Sequence, residues 1–315
     1  MSYRWKVLLT CPPMLGMIDS FRSIFDELSI EVIAPDVVQI LPEDELIALV
    51  PEHDGWIIGD DPATRAVFEA GKAGRLTAAI KWGIGVDNVD FSACEELGMP
   101  ISNTPGMFGG EVADVAMGYV IALARETFQI DAGIRRGEWP KPRGMSLAGK
   151  TVALIGYGDV GKNAARRMLA ADMNLIAYDP YALDSPELES VERAQWPDRI
   201  SEADFIVVTA ALTNSSYHMV NEAVLEEAKP GVRVVNVGRG PVIDEAALER
   251  ALISGKVYSA ALDVFEVEPL SMDSSLRKHP RCILGSHNAS NTVEAVTRTS
   301  EIAINKLADY LNASK

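Results

Sequence analysis

The apolar pentapeptide Thr151-Val152-Ala153-Leu154-Ile155 runs straight into Gly156-Tyr157-Gly158-Asp159-Val160-Gly161, and a helical run follows over 163–170. A G-x-G-x-x-G placed between a strand and a helix opens a β-α-β unit, so the chain is committed there to a parallel sheet. Each glycine has a mechanical reason. Gly156 permits the tight turn, Gly158 lets a pyrophosphate approach the backbone, and Gly161 lets the helix pack close to the strand. The helix N-terminus adds unpaired N–H groups and the positive end of its dipole.

The next apolar run, 175–178, ends in Asp179, 18 residues beyond Gly161. A carboxylate there accepts hydrogen bonds from the adenosine ribose hydroxyls and repels a 2′-phosphate. Pro180 and Tyr181 follow it, with no Arg or Lys, so the pattern favours NAD over NADP. The hexapeptide alone would also suit a plain glycine-rich turn; its context argues for a dinucleotide.

Strand-length apolar runs alternate with helical patterns along the whole chain. They are Val7-Leu8-Leu9, Val32-Ile33-Ala34, Trp56-Ile57-Ile58 and Ala78-Ala79-Ile80, then 151–155, 175–178, 205–209, 232–237 and 259–262. Alternation of this kind means parallel sheets, and the two series predict two α/β units. Between them lie a long amphipathic stretch, 111–136, and the passage Trp139-Pro140-Lys141-Pro142-Arg143-Gly144. A last helical stretch, 292–311, has no strand after it and is expected to pack back on the first unit. At roughly 150 residues per domain, 315 residues suit two domains.

Charge narrows the partners. Lys and Arg total 29 against 45 Asp and Glu, a formal net charge of −16, which repels phosphate backbones and anionic lipid. Nucleic acid and membrane are therefore not expected as partners, and no run of about 18 apolar residues suggests a span or a leader. Cys11, Cys94 and Cys282 are far apart and odd in number, which predicts neither disulfides nor zinc and points to the cytoplasm. No His/Cys/Asp/Glu cluster has ligand spacing along the chain, so no metal is expected.

Three polar residues each follow an apolar strand. Arg239 comes after Val234-Val235-Asn236-Val237-Gly238, Glu268 ends Asp263-Val264-Phe265-Glu266-Val267-Glu268 before Pro269, and His287 follows Cys282-Ile283-Leu284-Gly285-Ser286. Ligands bind at the carboxyl edge of parallel sheets. Hydride transfer between a nicotinamide and a 2-hydroxy or 2-oxo acid needs a cation for the carboxylate and carbonyl and a proton donor, here Arg239 and His287, with Glu268 holding the imidazole. Taken singly, Arg239 also reads as a turn residue, Glu268 as a solvated loop carboxylate and His287 as a structural histidine.

The run Val234 to Asp244, the run Ala260-Ala261-Leu262-Asp263-Val264-Phe265 to Glu268-Pro269, and His287-Asn288-Ala289-Ser290 resemble the NAD-dependent D-2-hydroxyacid dehydrogenase family. Gly83-Ile84-Gly85-Val86-Asp87-Asn88-Val89-Asp90, Asn103-Thr104-Pro105-Gly106, Val112-Ala113-Asp114 and Gly137-Glu138-Trp139 agree, so the resemblance spans about 55–310. It implies an α/β fold of two doubly wound parallel-sheet domains, a Rossmann cofactor domain (102–287) inserted into a flavodoxin-like substrate domain (1–101 and 288–315). The active site would lie in the cleft between them, and a homodimer would form through 111–145 of the cofactor domain.

Carried over residue by residue, the resemblance makes Arg239 the substrate-binding arginine, Glu268 the orienting glutamate and His287 the acid/base. It implies NAD contacts at Gly156, Tyr157, Gly158, Asp159, Val160, Gly161, Asp179, Pro180, Ala210, Ser216, Val237 and Asp263. Backbone N–H groups of Trp82, Gly83, Ile84 and Gly85 would cradle the substrate carboxylate. Ala211, Ser216, Ser286 and Asp114 depart from the usual pattern without removing a catalytic group. Trp82 reads either as a core aromatic or as a ring narrowing the substrate choice.

The substrate stays open. The stretch 81–90 is most similar to 3-phosphoglycerate dehydrogenases, with Lys81, Arg65 or Arg22 as candidate phosphate ligands, while glyoxylate or hydroxypyruvate reduction fits equally. Ending at Lys315, the chain is not expected to carry a C-terminal regulatory domain. Formate dehydrogenases carry glutamine where Glu268 stands. NADH-sensing corepressors keep the Arg/Glu/His set and form the non-catalytic alternative.

Overall fold

The computed structural model describes residues 3–181 and 190–314. Two compact units divide the chain: Met1–Met107 with Asn291–Lys315, and Phe108–Ser290.

The first unit is built on β1 (Trp5–Leu9), β2 (Ile30–Ile33), β3 (Gly55–Ile58), β4 (Ala78–Lys81) and β5 (Ile101–Asn103). Every pairing is parallel and the order is β2-β1-β3-β4-β5, the flavodoxin-like arrangement. β3 and β4 are buried throughout, which is why they read as continuous apolar runs and not as alternation. The helix Val293–Ala313 packs on β3 and β4. Gly55 lets it come close, since a Cβ there would stand 3.2 Å from Leu307.

The second unit contains β6 (Thr151–Ile155), β7 (Asn174–Tyr178), β8 (Val191–Arg193), β9 (Phe205–Val208), β10 (Val232–Asn236), β11 (Val257–Leu262) and β12 (Cys282–Leu284). They form one parallel sheet in the order β12-β11-β10-β9-β6-β7-β8, a doubly wound Rossmann sheet. Its core joins Ile155, Ile206, Val208, Val234 and Leu262 to helix residues such as Leu248 and Leu252.

Local bonds explain where the units divide. Residues 103–107 stay with the first unit because Gly83 N–H donates to Thr104 Oγ1 at 2.7 Å and Arg298 Nε donates to Met107 O at 3.1 Å. His287 to Ser290 stay with the second, where Ala289 N–H donates to Asp263 Oδ2 at 2.9 Å. The amphipathic stretch is two helices, Gly109–Arg125 and Thr127–Arg135, broken at Glu126, whose φ is +55°. The Glu126 carboxylate is buried and accepts the Tyr258 hydroxyl at 2.5 Å, a contact invisible to helical periodicity.

Candidate active site

The glycine loop occupies the turn from β6 into the helix Asp159–Leu169. Gly156 has φ +89°, and a Cβ there would stand 2.7 Å from the Ala210 backbone. At Gly161 a Cβ would be 2.2 Å from Gly156 O, so strand and helix meet at a distance that only glycine allows. Beside Gly158 there is open space. An open face at Gly158, the N–H groups of the helix's first turn and a carboxylate at the end of β7 together fit a dinucleotide.

That carboxylate, Asp179, is held by two backbone donors: Tyr157 N–H at 2.7 Å and Tyr181 N–H at 2.8 Å. The first bond ties the strand end to the glycine loop, so Asp179 also fixes the loop it would serve. The Tyr157 ring is buried, leaving that residue only its backbone near a ligand. Asp159 turns its carboxyl group over Gly109, at the start of the helix Gly109–Arg125, where a Cβ would be 2.4 Å from it. Val160 is half-buried in the first turn. Pro180 follows Asp179 at the open end of β7.

Ala210 is pressed between two glycines, its carbonyl 2.6 Å from where a Cβ of Gly238 would stand. Ser216 is buried and turned into its own loop, donating to Ala211 O at 2.7 Å and accepting from Thr213 N at 2.8 Å. Its hydroxyl closes a turn. Val237 continues β10 through a bond to Val208 O at 3.0 Å.

Asp263 lies at the end of β11 and is almost fully buried. It accepts from Ala289 N–H at 2.9 Å and Asn288 N–H at 3.3 Å, while its own carbonyl accepts His287 N–H at 2.7 Å. Burial raises its carboxyl pKa above the ordinary range. Tyr119 sits beside it: a Cβ on Gly285 would be 2.2 Å from Asp263 Oδ1 and 2.8 Å from the Tyr119 hydroxyl. Burial and that carboxylate push the Tyr119 hydroxyl up to about 12. Nothing in the sequence pointed to Tyr119, which lies far from Asp263 along the chain.

His287 adopts φ +55°, uncommon outside glycine and a form of strain found at functional positions. Its Nδ1 is 2.8 Å from Glu268 Oε2, and both side chains are about one-fifth exposed. The other Glu268 oxygen accepts Phe265 N–H at 2.9 Å, which locks the carboxylate before it meets the ring. Arg239 leaves the end of β10 in extended conformation, with Asn236 Nδ2 donating to its carbonyl at 3.0 Å and its Nη1 donating to Gly238 O at 3.1 Å. Gly240 admits this loop against Phe265, whose backbone would be 1.9 Å from a Cβ. Arg239, Glu268 and His287 thus follow β10, β11 and β12, three adjacent strands.

Chain spacing did not reveal that His218, Asp244 and Glu266 bring ligand-type atoms within 4.8 Å of one another, from three separate loops. These groups bond internally. His218 Nε2 lies 2.7 Å from Glu266 Oε1, and Asp244 Oδ1 caps the helix Glu245–Ser254 by accepting Ala247 N–H at 2.9 Å.

In the first unit the loop 82–85 leaves β4 at its carboxyl end. Trp82 is 5% exposed and donates its indole N–H to Ser300 Oγ at 3.1 Å, which makes it a packed core residue. Two loop N–H groups are in use, Trp82 on Ile58 O at 3.0 Å and Gly83 on Thr104 Oγ1 at 2.7 Å. Those of Ile84 and Gly85 enter no hydrogen bond with the described residues, and the Ile84 side chain is exposed.

The profile of the family described as "D-isomer specific 2-hydroxyacid dehydrogenase, NAD binding domain" matches residues 117–289, inside the second unit. Hydroxypyruvate reductase of Thermotoga maritima is 37% identical over 273 residues, covering 85% of this chain and 88% of that one. D-3-phosphoglycerate dehydrogenase of Archaeoglobus fulgidus is 34% identical over 294 residues, but the chain spans only 54% of its length and covers 92% of its own. Among solved structures, a glyoxylate reductase from Paecilomyes thermophila superposes with a TM-score of 0.82 at 28% identity, over 99% of this chain and 96% of that one.

Proposed function

The chain belongs to the D-isomer specific 2-hydroxyacid dehydrogenase family, and from that premise we propose that it reduces a small 2-oxo acid with NADH, using Arg239, Glu268 and His287. It is an NAD-dependent oxidoreductase acting between D-2-hydroxy acids and 2-oxo acids. The observation that carries the residue roles is the 2.8 Å bond between Glu268 and His287. With Nδ1 engaged by the carboxylate, ring orientation and tautomer are fixed, and in this reading Nε2 is the nitrogen that meets the reacting oxygen.

In this reading His287 delivers a proton from Nε2 to the carbonyl oxygen of the 2-oxo acid. The Arg239 guanidinium binds the acid and balances charge as it develops on that oxygen. Glu268, held by Phe265 N–H, keeps the ring from turning. NAD, when bound, supplies the nicotinamide that gives or takes the hydride. Gly158, the N-terminal turn of the helix Asp159–Leu169 and Asp179 would hold it, and Asp263 with Val237 would face its nicotinamide end. Ile84 and Gly85 N–H groups would take the substrate carboxylate, narrowing the expected cradle of 82–85 to two donors.

The unit Phe108–Ser290 would then be the cofactor domain and the other unit the substrate domain. We also place the enzyme in the cytoplasm as a homodimer. Three cysteines without disulfides support the first assignment, and exposed Ile121, Phe128, Ile134 and Trp139 on the helix pair and its following arm support the second. Among the described residues no helix is long and apolar enough to cross a membrane.

The test is NADH oxidation by the purified protein against glyoxylate, hydroxypyruvate, pyruvate, 2-oxobutyrate and 3-phosphohydroxypyruvate, with NADPH in parallel. Turnover of at least one acid with preference for NADH is the expected result. NADH binding without turnover of any of them would overturn the reading.

A further inference from the structure

Lys81, Arg65 and Arg22 are the basic residues that the sequence offered to a substrate phosphate, and the structure places all three. Arg22 is exposed and held by Asp19 at 2.7 Å. Arg65 grips Glu96 through both terminal nitrogens, at 2.7 and 3.0 Å. Lys81 ends β4, immediately before the loop 82–85, yet its side chain is only 3% exposed. Its ammonium donates to Trp82 O at 2.9 Å and to Asp60 Oδ1 at 3.2 Å.

Asp60 follows the neighbouring strand β3, and its carboxylate is 37% exposed, so it presents the pair's accessible charge, a negative one. The turn carrying it is rigid. Asn88 Nδ2 donates to both Gly59 O, at 3.1 Å, and Asp61 O, at 2.7 Å. Asp61 is fully buried and accepts Leu41 N–H at 2.8 Å and Gly59 N–H at 3.1 Å, besides the Thr10 hydroxyl. One carboxylate, Asp60, thus engages the internal ammonium at the carboxyl edge where the substrate loop begins, its other oxygen accepting Gln39 Nε2 at 3.4 Å. A phosphate monoester adds roughly −1.5 to −2 charge near neutral pH and needs accessible donors, which an ammonium on a side chain only 3% exposed, and already bonded to a carboxylate and a carbonyl, does not present.

We propose that Asp60 is a specificity determinant: by occupying Lys81 and leaving a negative charge beside the loop 82–85, it rejects 2-oxo acids that carry a phosphate and restricts the enzyme to unphosphorylated ones. The proposal deepens the functional reading above and rests on its placing of the substrate carboxylate at Ile84 and Gly85. Lys81 acts as a positioning residue that holds the first peptide of the loop.

The experiment compares kcat/KM for hydroxypyruvate and 3-phosphohydroxypyruvate in the wild type, Asp60→Asn, Asp60→Ser and the double variant Asp60→Asn/Lys81→Met. The wild type should favour hydroxypyruvate by about a hundredfold, as a like-charge juxtaposition requires. Asp60→Asn or Asp60→Ser should narrow that ratio by about tenfold, mainly through the KM of the phosphorylated acid, and Lys81→Met should cancel the gain. A wild type that prefers the phosphorylated acid, or a ratio unmoved in folded Asp60 variants, overturns the proposal while leaving the reductase reading intact. No wild-type turnover of any acid overturns the reading beneath it. Should neither Asp60 variant fold, competition decides: 3-phosphohydroxypyruvate should not compete with hydroxypyruvate for the wild type at equal concentration, and competition there overturns the proposal.

Discussion

His287 combines a left-handed backbone with a ring fixed by Glu268, so its replacement must separate chemistry from backbone conformation. Asparagine tolerates positive φ and has no titrating nitrogen. His287→Asn is expected to lower kcat by about two to four orders of magnitude while NADH affinity, measured by fluorescence titration, changes little. Loss of NADH binding in that variant would place the residue elsewhere in the mechanism. His53 provides a test that does not involve the active site. It is 2% exposed, its Nδ1 is 2.8 Å from Leu49 O, and its Nε2 has no partner among the described residues. Burial, with Lys6 nearby, lowers its pKa below the ordinary histidine value of 6.5, so the ring is neutral in the fold. The unfolded chain then binds the extra proton first. This stabilising contribution is fully present above about pH 6.5 and is lost as pH falls through 6.5 toward the depressed folded value. Between about pH 8 and pH 5, wild-type Tm should fall about 3 °C more than that of His53→Gln, measured by circular dichroism.

At the scale of elements, the site depends on loops brought close by glycine. Gly240 is the severest case, because any Cβ would stand 1.9 Å from the Phe265 backbone, the segment that carries Glu266 to Glu268. Gly240→Ala should therefore move the loop holding Arg239 away from β11, costing about 2 kcal/mol of stability and reducing kcat/KM at least tenfold, read by thermal melts and NADH oxidation. Asp179 couples β7 to the glycine loop through Tyr157 N–H at 2.7 Å. Asp179→Ala should raise the NADPH to NADH ratio of kcat/KM by about tenfold or more, with NADH affinity falling because the loop loses its tie. Strands buried on both faces, such as β6, β9 and β10, were readable as apolar runs. β8 was not, because Val191-Glu192-Arg193 is an edge segment with a single buried side chain. The glycine hexapeptide and the residues following β10 to β12 were legible because their chemistry is local in sequence. Tyr119 beside Asp263 and the Lys81–Asp60 pair were not, since each depends on which side chain a distant strand or loop presents.

For the whole molecule, charge and apolar exposure make opposite demands. A chain with a formal net charge of −16 repels its own copy, so association needs a surface where apolar burial exceeds that repulsion. Phe128 is 54% exposed, Trp139 78%, Ile121 41% and Ile134 43%, a concentration within the helix pair and its arm that a monomer would leave in water. The proposed homodimer covers these residues. Light scattering should accordingly give twice 34.1 kDa. Phe128→Asp combined with Trp139→Ser should move the species to the monomer mass, because it removes two apolar anchors and adds a charge of the sign already in excess. Salt discriminates further. An interface stabilised by ion pairs weakens as salt rises, whereas one that forms against net repulsion strengthens as the Debye length contracts from about 30 Å at 0.01 M to about 8 Å at 0.15 M. The dimer dissociation constant should therefore fall across that range. An increase would mean that charge complementarity, and not the apolar surface, holds the two copies together.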